Sequence, residues 1–311
     1  MLYTDKDNGQ DIHIALSSDM NYLPHMAATI VSIMMNSHTS DILHFHILHS
    51  DIPQQAIQKI ISLKKRYSGE SHFIIHHLNR NHFDHFPEVN HLTLEAYYRL
   101  KMHDIFSNLN KVIYIDVDTI VLKPIRDLWN INLEGHPIGA VEITTGMSKL
   151  YDELGIHSSV HFNSGVMVCD LEKFRKLPLD QLYSEHIKNF KIIAADQDVL
   201  NNIFANNVYI IPLKWNLTNS VYRYNIQYRQ YSVEELRLAM IDPSVIHFNG
   251  KRKPWVFKAD RHMHSHQYWK YLSMTPWKYM LWKKYVKSAI VKKHKISKDS
   301  AYWKLICSQN G

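Results

Sequence analysis

The chain has 311 residues, 45% of them hydrophobic and 21% charged, with a formal net charge of +7. That length can bury one large α/β core or two smaller ones, and the composition belongs to a globular protein, excluding disordered and fibrous classes. The two cysteines, Cys169 and Cys307, lie far apart in unlike contexts, so neither a disulfide framework nor a Cys-based zinc site is expected, which fits a reducing cytoplasm.

The opening "MLYTDKDNGQD" lacks the basic start and apolar core of a signal peptide, and no later run of about 18 apolar residues could span a bilayer. Neither export nor membrane spanning is expected. The predicted elements then alternate. A strand over 12–16 leads through a polar loop to a helix from about Tyr22 that buries Met26, Ile30, Ile33 and Met34. "LHFHILHSDIPQQAIQKII" repeats the unit, with Asp51 as helix N-cap, Pro53 in the first turn and Ile57, Ile60 and Ile61 on the apolar face. Two successive βα units predict a parallel sheet with covering helices. Further strands are predicted over 73–78, 111–117, 138–141, 165–169 and 209–211, with helices near 92–105, 179–190 and 197–205. One Rossmann-like domain, residues 1–255, with a C-terminal segment, 256–311, is the economical α/β architecture.

"KVIYIDVDTIVLKP" (111–124) combines a β-branched and aromatic run with two carboxylates, Asp116 and Asp118. A carboxylate buried without a partner costs several kcal/mol or becomes neutral, so the pair is expected to meet a cation or to mark the strand's end. In open α/β sheets ligands bind outside the carboxyl ends of strands, which places both in the crevice. Strand alternation would put both on one face, suiting a divalent ion that holds a diphosphate. Alone, Asp-x-Asp is common by chance.

The charge is unevenly spread. From residue 251 onward 15 lysines and arginines face Asp260 and Asp299, a local net of +13, which leaves −6 for residues 1–250. "TPWKYMLWKKYVKSAIVKKHK" reads as a basic, aromatic, amphipathic helix of the kind that lies on anionic lipid; the alternative is a helix packed on the domain by its aromatic side. No nucleic-acid-binding signature accompanies it, so nucleic acid is not expected as a partner.

Five segments, "ALSSDMNY", "AYYRLKM", "KVIYIDVDTIVLKPIRDLW", "HFNSGVMVCDL" with "AADQDVLN", and "VIHFNGKRKPW", span residues 15–255. In order and spacing they resemble glycosyltransferase family eight, and within it the bacterial lipopolysaccharide galactosyl- and glucosyltransferases. The resemblance implies a GT-A type fold, a UDP-hexose donor, Mn²⁺ (with Mg²⁺ second), a saccharide or lipid-linked saccharide acceptor, and retention of anomeric configuration. Asp116, Asp118 and His247 resemble the metal ligands, with Val117 among the donor-binding residues. A lone histidine after "SVI" is otherwise a core residue, but "NGKRKPW" follows: Gly250 lets the backbone approach a phosphate, and Lys253 can reach the same diphosphate. Asp19 and Asn21 resemble the uracil and ribose binders, the alternative for them being a helix N-cap. Ser17 and Ser18 stand where relatives carry small alanines. Arg99 resembles the arginine on the sugar and diphosphate side; the alternative is a surface salt bridge.

"NSG", Asn163 to Gly165, and "DQD", Asp196 to Asp198, resemble the family's sugar-reading segments, Asp196 on hexose hydroxyls and Gln197 beneath the anomeric carbon. Glu142 stands where the galactosyl relative has Asp, which opens the identity of the hexose. Residues 144–160 are expected to form a mobile loop over the donor, hinged at Gly146 and Gly155, and His91 to face the acceptor. The histidines of "HFHILH", "HFIIHHL", "HFDHF" and "RHMHSH" share no ligand frame and read as composition. The reading is a retaining, metal-dependent hexosyltransferase of the lipopolysaccharide core, cytoplasmic and peripheral on the inner face of the membrane. The alternative is a nucleotide-sugar-binding protein without catalysis.

Overall fold

The structure is a computed structural model that describes residues 10–83, 86–87, 94–222, 227–256 and 263–279. Its strands are β1 (Asp11–Ser17), β2 (Ile42–His49), β3 (Glu70–His77), β4 (Lys111–Ile115), β5 (Thr119–Val121), β6 (Ile138–Glu142), β7 (Phe162–Asp170), β8 (Val208–Ile210), β9 (Leu217–Thr218) and β10 (Val245–His247). The helices are α1 (Leu23–Asn36), α2 (Gln54–Ile61), α3 (Met102–Ile105), α4 (Ile125–Trp129), α5 (Thr145–Glu153), α6 (Leu171–Arg175), α7 (Leu179–Asn189), α8 (Asp196–Phe204), α9 (Val233–Ile241) and α10 (Ser265–Leu272).

Seven of these strands form one sheet in the order β3-β2-β1-β4-β7-β6-β8, while β5, β10 and β9 form a second, small sheet. The βα units predict the parallel half, and β1 pairs parallel with β2 and β4. β7 runs antiparallel to both β4 and β6. Both faces of the main sheet are covered. Ile113 and Ile115 of β4 join one core with Ile14, Ile30 and Ile246, and Val112 and Tyr114 join the other with Tyr98, Met167 and Leu200. Burial on both faces is why these strands read as unbroken apolar runs.

Several local expectations change. Pro53, not Asp51, occupies the N-cap of α2. The segment expected as one helix near 92–105 is a 3-10 helix, Leu94–Lys101, running into the single turn of α3, and it buries Tyr98 and Arg99 alike. Residues 144–160 are not an open loop. They contain α5, whose Tyr151 is buried with Ile143 and Ile156 and whose Ser148 Oγ lies 2.7 Å from His161 Nδ1. Gly146 is inside this helix; Gly155, with φ of 82°, ends it.

The strand histidines are paired rather than scattered. His46 on β2 has Nε2 3.0 Å from His13 Nδ1 and Nδ1 3.1 Å from His76 Nε2. They give a polar face of the sheet its hydrogen-bond partners. Past residue 255, α10 packs on α1, with His25 Nδ1 2.7 Å from the Tyr268 hydroxyl and His25 stacked on Trp255. Trp277 is also buried in this core, while Tyr279 is exposed. The basic run from 280 and His91 lie outside the described residues. Among those described, no helix is long and apolar enough to cross a membrane.

Burial lowers several imidazoles: His25 to about 3, His76, His186 and His264 to about 4, and His46 well below its usual range. In the unfolded chain each takes a proton near pH 6.5, so unfolding takes up protons between that value and the folded one, and stability falls as the pH drops through this window. Asp196, whose carboxyl burial raises to about 7, offsets part of it. Melting followed by circular dichroism is expected to show Tm falling by about 5 °C or more between pH 7 and pH 5. An unchanged Tm would mean that these rings are not held neutral.

Candidate active site

At the carboxyl ends of the central strands the chain leaves β4 at Ile115 and turns through Asp116, Val117 and Asp118 into β5. The two carboxylates are therefore presented by a turn and not by strand alternation. Thr119 Oγ1 donates to the Asp116 carbonyl at 2.8 Å, and Thr29 Oγ1 on α1 reaches the Val117 and Thr119 carbonyls at 3.0 and 2.8 Å. β10 pairs antiparallel with β5, setting His247 opposite Thr119. His247 Nε2 thus stands 3.1 Å from Asp118 Oδ1 and 3.6 Å from Asp116 Oδ2.

These three side chains could hold a metal, since their ligand atoms lie within 4.8 Å of one another. Two carboxylates and one imidazole make a donor set of mixed hardness that suits a divalent cation. The backbone is cleared for them as well. A Cβ on Gly165 of β7 would stand 2.3 Å from His247 Cε1 and 2.7 Å from Asp116 Oδ2. Another group combines the buried His103 with the exposed Asp104 and Asp180, and Lys101 bridges its two carboxylates.

Arg99 is fully enclosed behind the turn. Its Nη2 donates to Asp116 Oδ1 at 2.7 Å, Nε lies 3.1 Å from Asp196 Oδ2, Nη1 donates to the Ser164 carbonyl at 2.8 Å, and the guanidinium covers the Tyr114 ring at 4.1 Å. It is no surface salt bridge. Burial raises the Asp196 carboxyl to about 7 against the pull of Arg99, with Asp116 pushing the same way. Asp118 goes the other way: burial would raise it, but the Lys253 ammonium, in direct contact, and His247 hold it far below the usual carboxylate range.

Asp196 and Gln197 open α8. The preceding residue, Ala195, has φ of 51° and ψ of −121° and is closed into a turn by Gln197 N–H donating to the Ala194 carbonyl. Glycine normally takes such a conformation, which costs another residue about 1–3 kcal/mol and is typical of functional sites. The turn is pinned by Asp198 Oδ2, which accepts from Ile193 and Ala194 N–H. Gln197 Oε1 accepts from Asn163 Nδ2 at 2.7 Å.

The profile of glycosyl transferase family 8 matches residues 13–259, which include every side chain just described. The chain belongs to glycosyltransferase family 8. It is similar to General stress protein A of Bacillus subtilis (strain 168), 25% identical over 273 residues that cover 86% of this chain and 94% of the relative. It is also similar to the lipopolysaccharide 1,2-glucosyltransferase of Escherichia coli, 26% identical over 292 residues, 90% of this chain and 84% of that one. Galactosyltransferase LgtC, solved in complex with donor and acceptor sugar analogs, matches with a TM-score of 0.72 at 22% identity over 86% of this chain and 96% of its own. The two share the mixed α/β, GT-A type fold.

Of the residues expected in this family 8 site, Asp19, Arg99, Asp116, Val117, Asp118, Asn163, Asp196, Gln197, His247, Gly250 and Lys253 line one crevice. Gly250 has φ of 68°, as the tight turn requires. Asn21 does not line it: it is exposed and donates to Asp19 Oδ2 at 3.2 Å, while Asp19 Oδ1 accepts from Tyr22 N–H ahead of α1. Glu142 is also elsewhere, buried and accepting from Arg229 and Gln230 N–H at 2.9 and 2.8 Å. Its longer arm serves the 227–231 segment. Ser164 falls inside the expected "NSG" segment and lines the crevice; Tyr151 and Asn216 were not expected.

The close approach at Gly165 generates a test. Gly165→Ala is expected to displace His247 and Asp116 and to weaken Mn²⁺ binding, followed by electron paramagnetic resonance, by about 10-fold or more with the far-ultraviolet spectrum unchanged. Wild-type affinity in a folded variant would remove these two residues from the ligand set.

Proposed function

We propose that this protein transfers galactose or glucose from a UDP-hexose to a saccharide acceptor, of the lipopolysaccharide core, with retention of configuration. The observation that carries this reading is the charge balance of the crevice. Asp19, Glu95, Asp116, Asp118 and Asp196 line it against Arg99 and Lys253. A diphosphate entering so acidic a site needs a bridging cation, and Asp116, Asp118 and His247 would hold it. When bound, a divalent ion supplies neutralisation of the departing diphosphate.

The chain's own residues supply the remainder. Lys253 leaves Asp118 for a diphosphate oxygen, and Gly250 brings the backbone close to the same group. Asp196 accepts from a hexose hydroxyl. It is already committed to Arg99 and accepts from Ser164 Oγ at 2.9 Å, so it is a poor nucleophile compared with the free carboxylate of a retaining glycosidase. The reading that follows is a front-face transfer. The bond from the anomeric carbon to the diphosphate oxygen breaks, the acceptor oxygen bonds on the same face, and its proton passes to the departing diphosphate. Gln197 orients the anomeric centre from below. The similarity to the lipopolysaccharide 1,2-glucosyltransferase supports the acceptor class.

Incubation with UDP-galactose or UDP-glucose and Mn²⁺, with UDP release measured, is expected to show turnover of one donor, lost by at least about 100-fold in Asp118→Asn. Binding of a UDP-hexose without release would instead favour a nucleotide-sugar-binding protein. No binding at all would remove the donor assignment.

The lysines at 283, 284, 287, 292, 293 and 295 are placed in this reading against the inner face of the cytoplasmic membrane, at about 1 kcal/mol each. Sedimentation with anionic vesicles at low salt is expected for the full chain and is expected to be lost when these six become glutamate, with turnover of a soluble acceptor kept. Equal sedimentation of both proteins would overturn the membrane assignment.

A further inference from the structure

His247 reaches the crevice with one ring nitrogen and is held from behind by the other. Its Nδ1 lies 2.9 Å from Oδ1 of Asn216, a residue with 0% exposure at the end of the 3-10 turn Leu213–Asn216. Asn216 does not line the crevice.

Which atoms donate along this line follows from the backbone, because a peptide N–H is only a donor. Gly165 N–H meets Asn163 Oδ1 at 3.1 Å, and Ser164 N–H meets Gln197 Oε1 at 3.3 Å. Asn163 therefore turns its oxygen toward Asn216, whose Nδ2 donates to it at 2.7 Å. It turns its nitrogen toward Gln197 Oε1, also at 2.7 Å. Only the oxygen of Asn216 is then left for His247. His247 therefore keeps a proton on Nδ1, donated to Asn216, and it is the Nε2 lone pair that the ring would offer a cation held between Asp116 and Asp118. At the far end Gln197 Nε2 donates to the Tyr151 hydroxyl at 2.9 Å, and Tyr151 donates to Asp198 Oδ1 at 2.7 Å. Five side-chain contacts, from His247 to Asp198, run in a single direction.

We infer that Asn216 is a positioning residue with two duties: it fixes the His247 tautomer that leaves Nε2 open to a divalent cation, and through Asn163 it holds the Gln197 amide in one of its two orientations. The second duty rests on the transferase reading above; the first does not. A metal ligand and the residue beneath the sugar are thereby set by the same buried amide. Neither end can reverse without breaking a backbone bond at Ser164 or Gly165.

Two full-length variants separate the duties. Asn216→Asp keeps an acceptor for the His247 Nδ1–H but has no N–H for Asn163, whereas Asn216→Leu, of similar size, removes both. Mn²⁺ affinity is read from the free-ion paramagnetic resonance signal without nucleotide, so no turnover is needed. Asn216→Leu is expected to weaken Mn²⁺ about 10- to 100-fold, and Asn216→Asp to stay within about 3-fold of wild type. In the donor assay Asn216→Asp is expected to lower kcat about 10-fold or more while the donor KM stays within about 3-fold. Should Asn216→Leu not fold, the ring ¹⁵N shifts of His247 in the Mg²⁺-loaded wild type decide the first duty, with the Nδ1–H tautomer expected and the Nε2–H tautomer overturning it. A folded Asn216→Leu with wild-type Mn²⁺ affinity overturns it equally. Wild-type kcat in Asn216→Asp overturns the link to Gln197. If no UDP-hexose is turned over by the wild type, the metal and tautomer measurements still decide the first duty, and the proposed reaction falls on its own together with the second.

Discussion

Everything in this crevice is arranged around carboxylates that repel one another. Asp116, Asp118 and Asp196 are brought together where water is scarce, and each unpaired charge there costs several kcal/mol. The chain answers with two cations of different kinds. Arg99 is buried, forked between Asp116 and Asp196, and its planar donors suit that role. Lys253 sits on Asp118 at the end of a loop, and a flexible ammonium can be exchanged for another cation. The arginine is thus part of the scaffold, while the lysine occupies a position that a metal can take over.

The fold supplies this arrangement with little freedom. Asp116 N–H donates to the Gly165 carbonyl at 2.7 Å, carrying the β4–β7 ladder one residue past the strand. Phe248 N–H donates to the Asp118 carbonyl at 3.0 Å, doing the same for β5 and β10. Two sheets are therefore stapled to the two ends of the same Asp-x-Asp turn. Because strand side chains alternate, a slip of one residue in β10 would send His247 to the opposite face and bring Ile246 or Phe248 to the carboxylates.

How far the site could be read in advance follows from these same forces. Strands buried on both faces announce themselves as apolar runs, and charged residues at their ends stand out against them, so β1, β4, β7 and the pair Asp116 and Asp118 were legible. Arg99 and Gln197 needed the family resemblance, since a lone arginine among tyrosines or a glutamine between aspartates has no periodic signal. Tyr151 and α5 were misread because "TTGMSKLYDELG" is polar and glycine-flanked, like a loop, and only the burial of Tyr151 beneath α8 reveals its place. The place of Glu142 could not be read either, because a substitution of Glu for Asp at an aligned position says nothing about direction; its carboxylate is used by backbone amides of another segment.

Asn216 had no signal at all, and the reason is general. Its duty is to offer one oxygen and one N–H at fixed points, and nothing in "KWNLTN" distinguishes that from an asparagine in any turn. Its meaning comes from β9 lying parallel to β10, with Thr218 beside His247, which brings the preceding turn against the back of the imidazole. The short β9 strand is thus more than an edge: it holds the acceptor that orients the histidine. A metal-binding triad can be suspected from three side chains of the right chemistry, but the tautomer of its histidine is written in the neighbour that the register of a two-residue strand delivers.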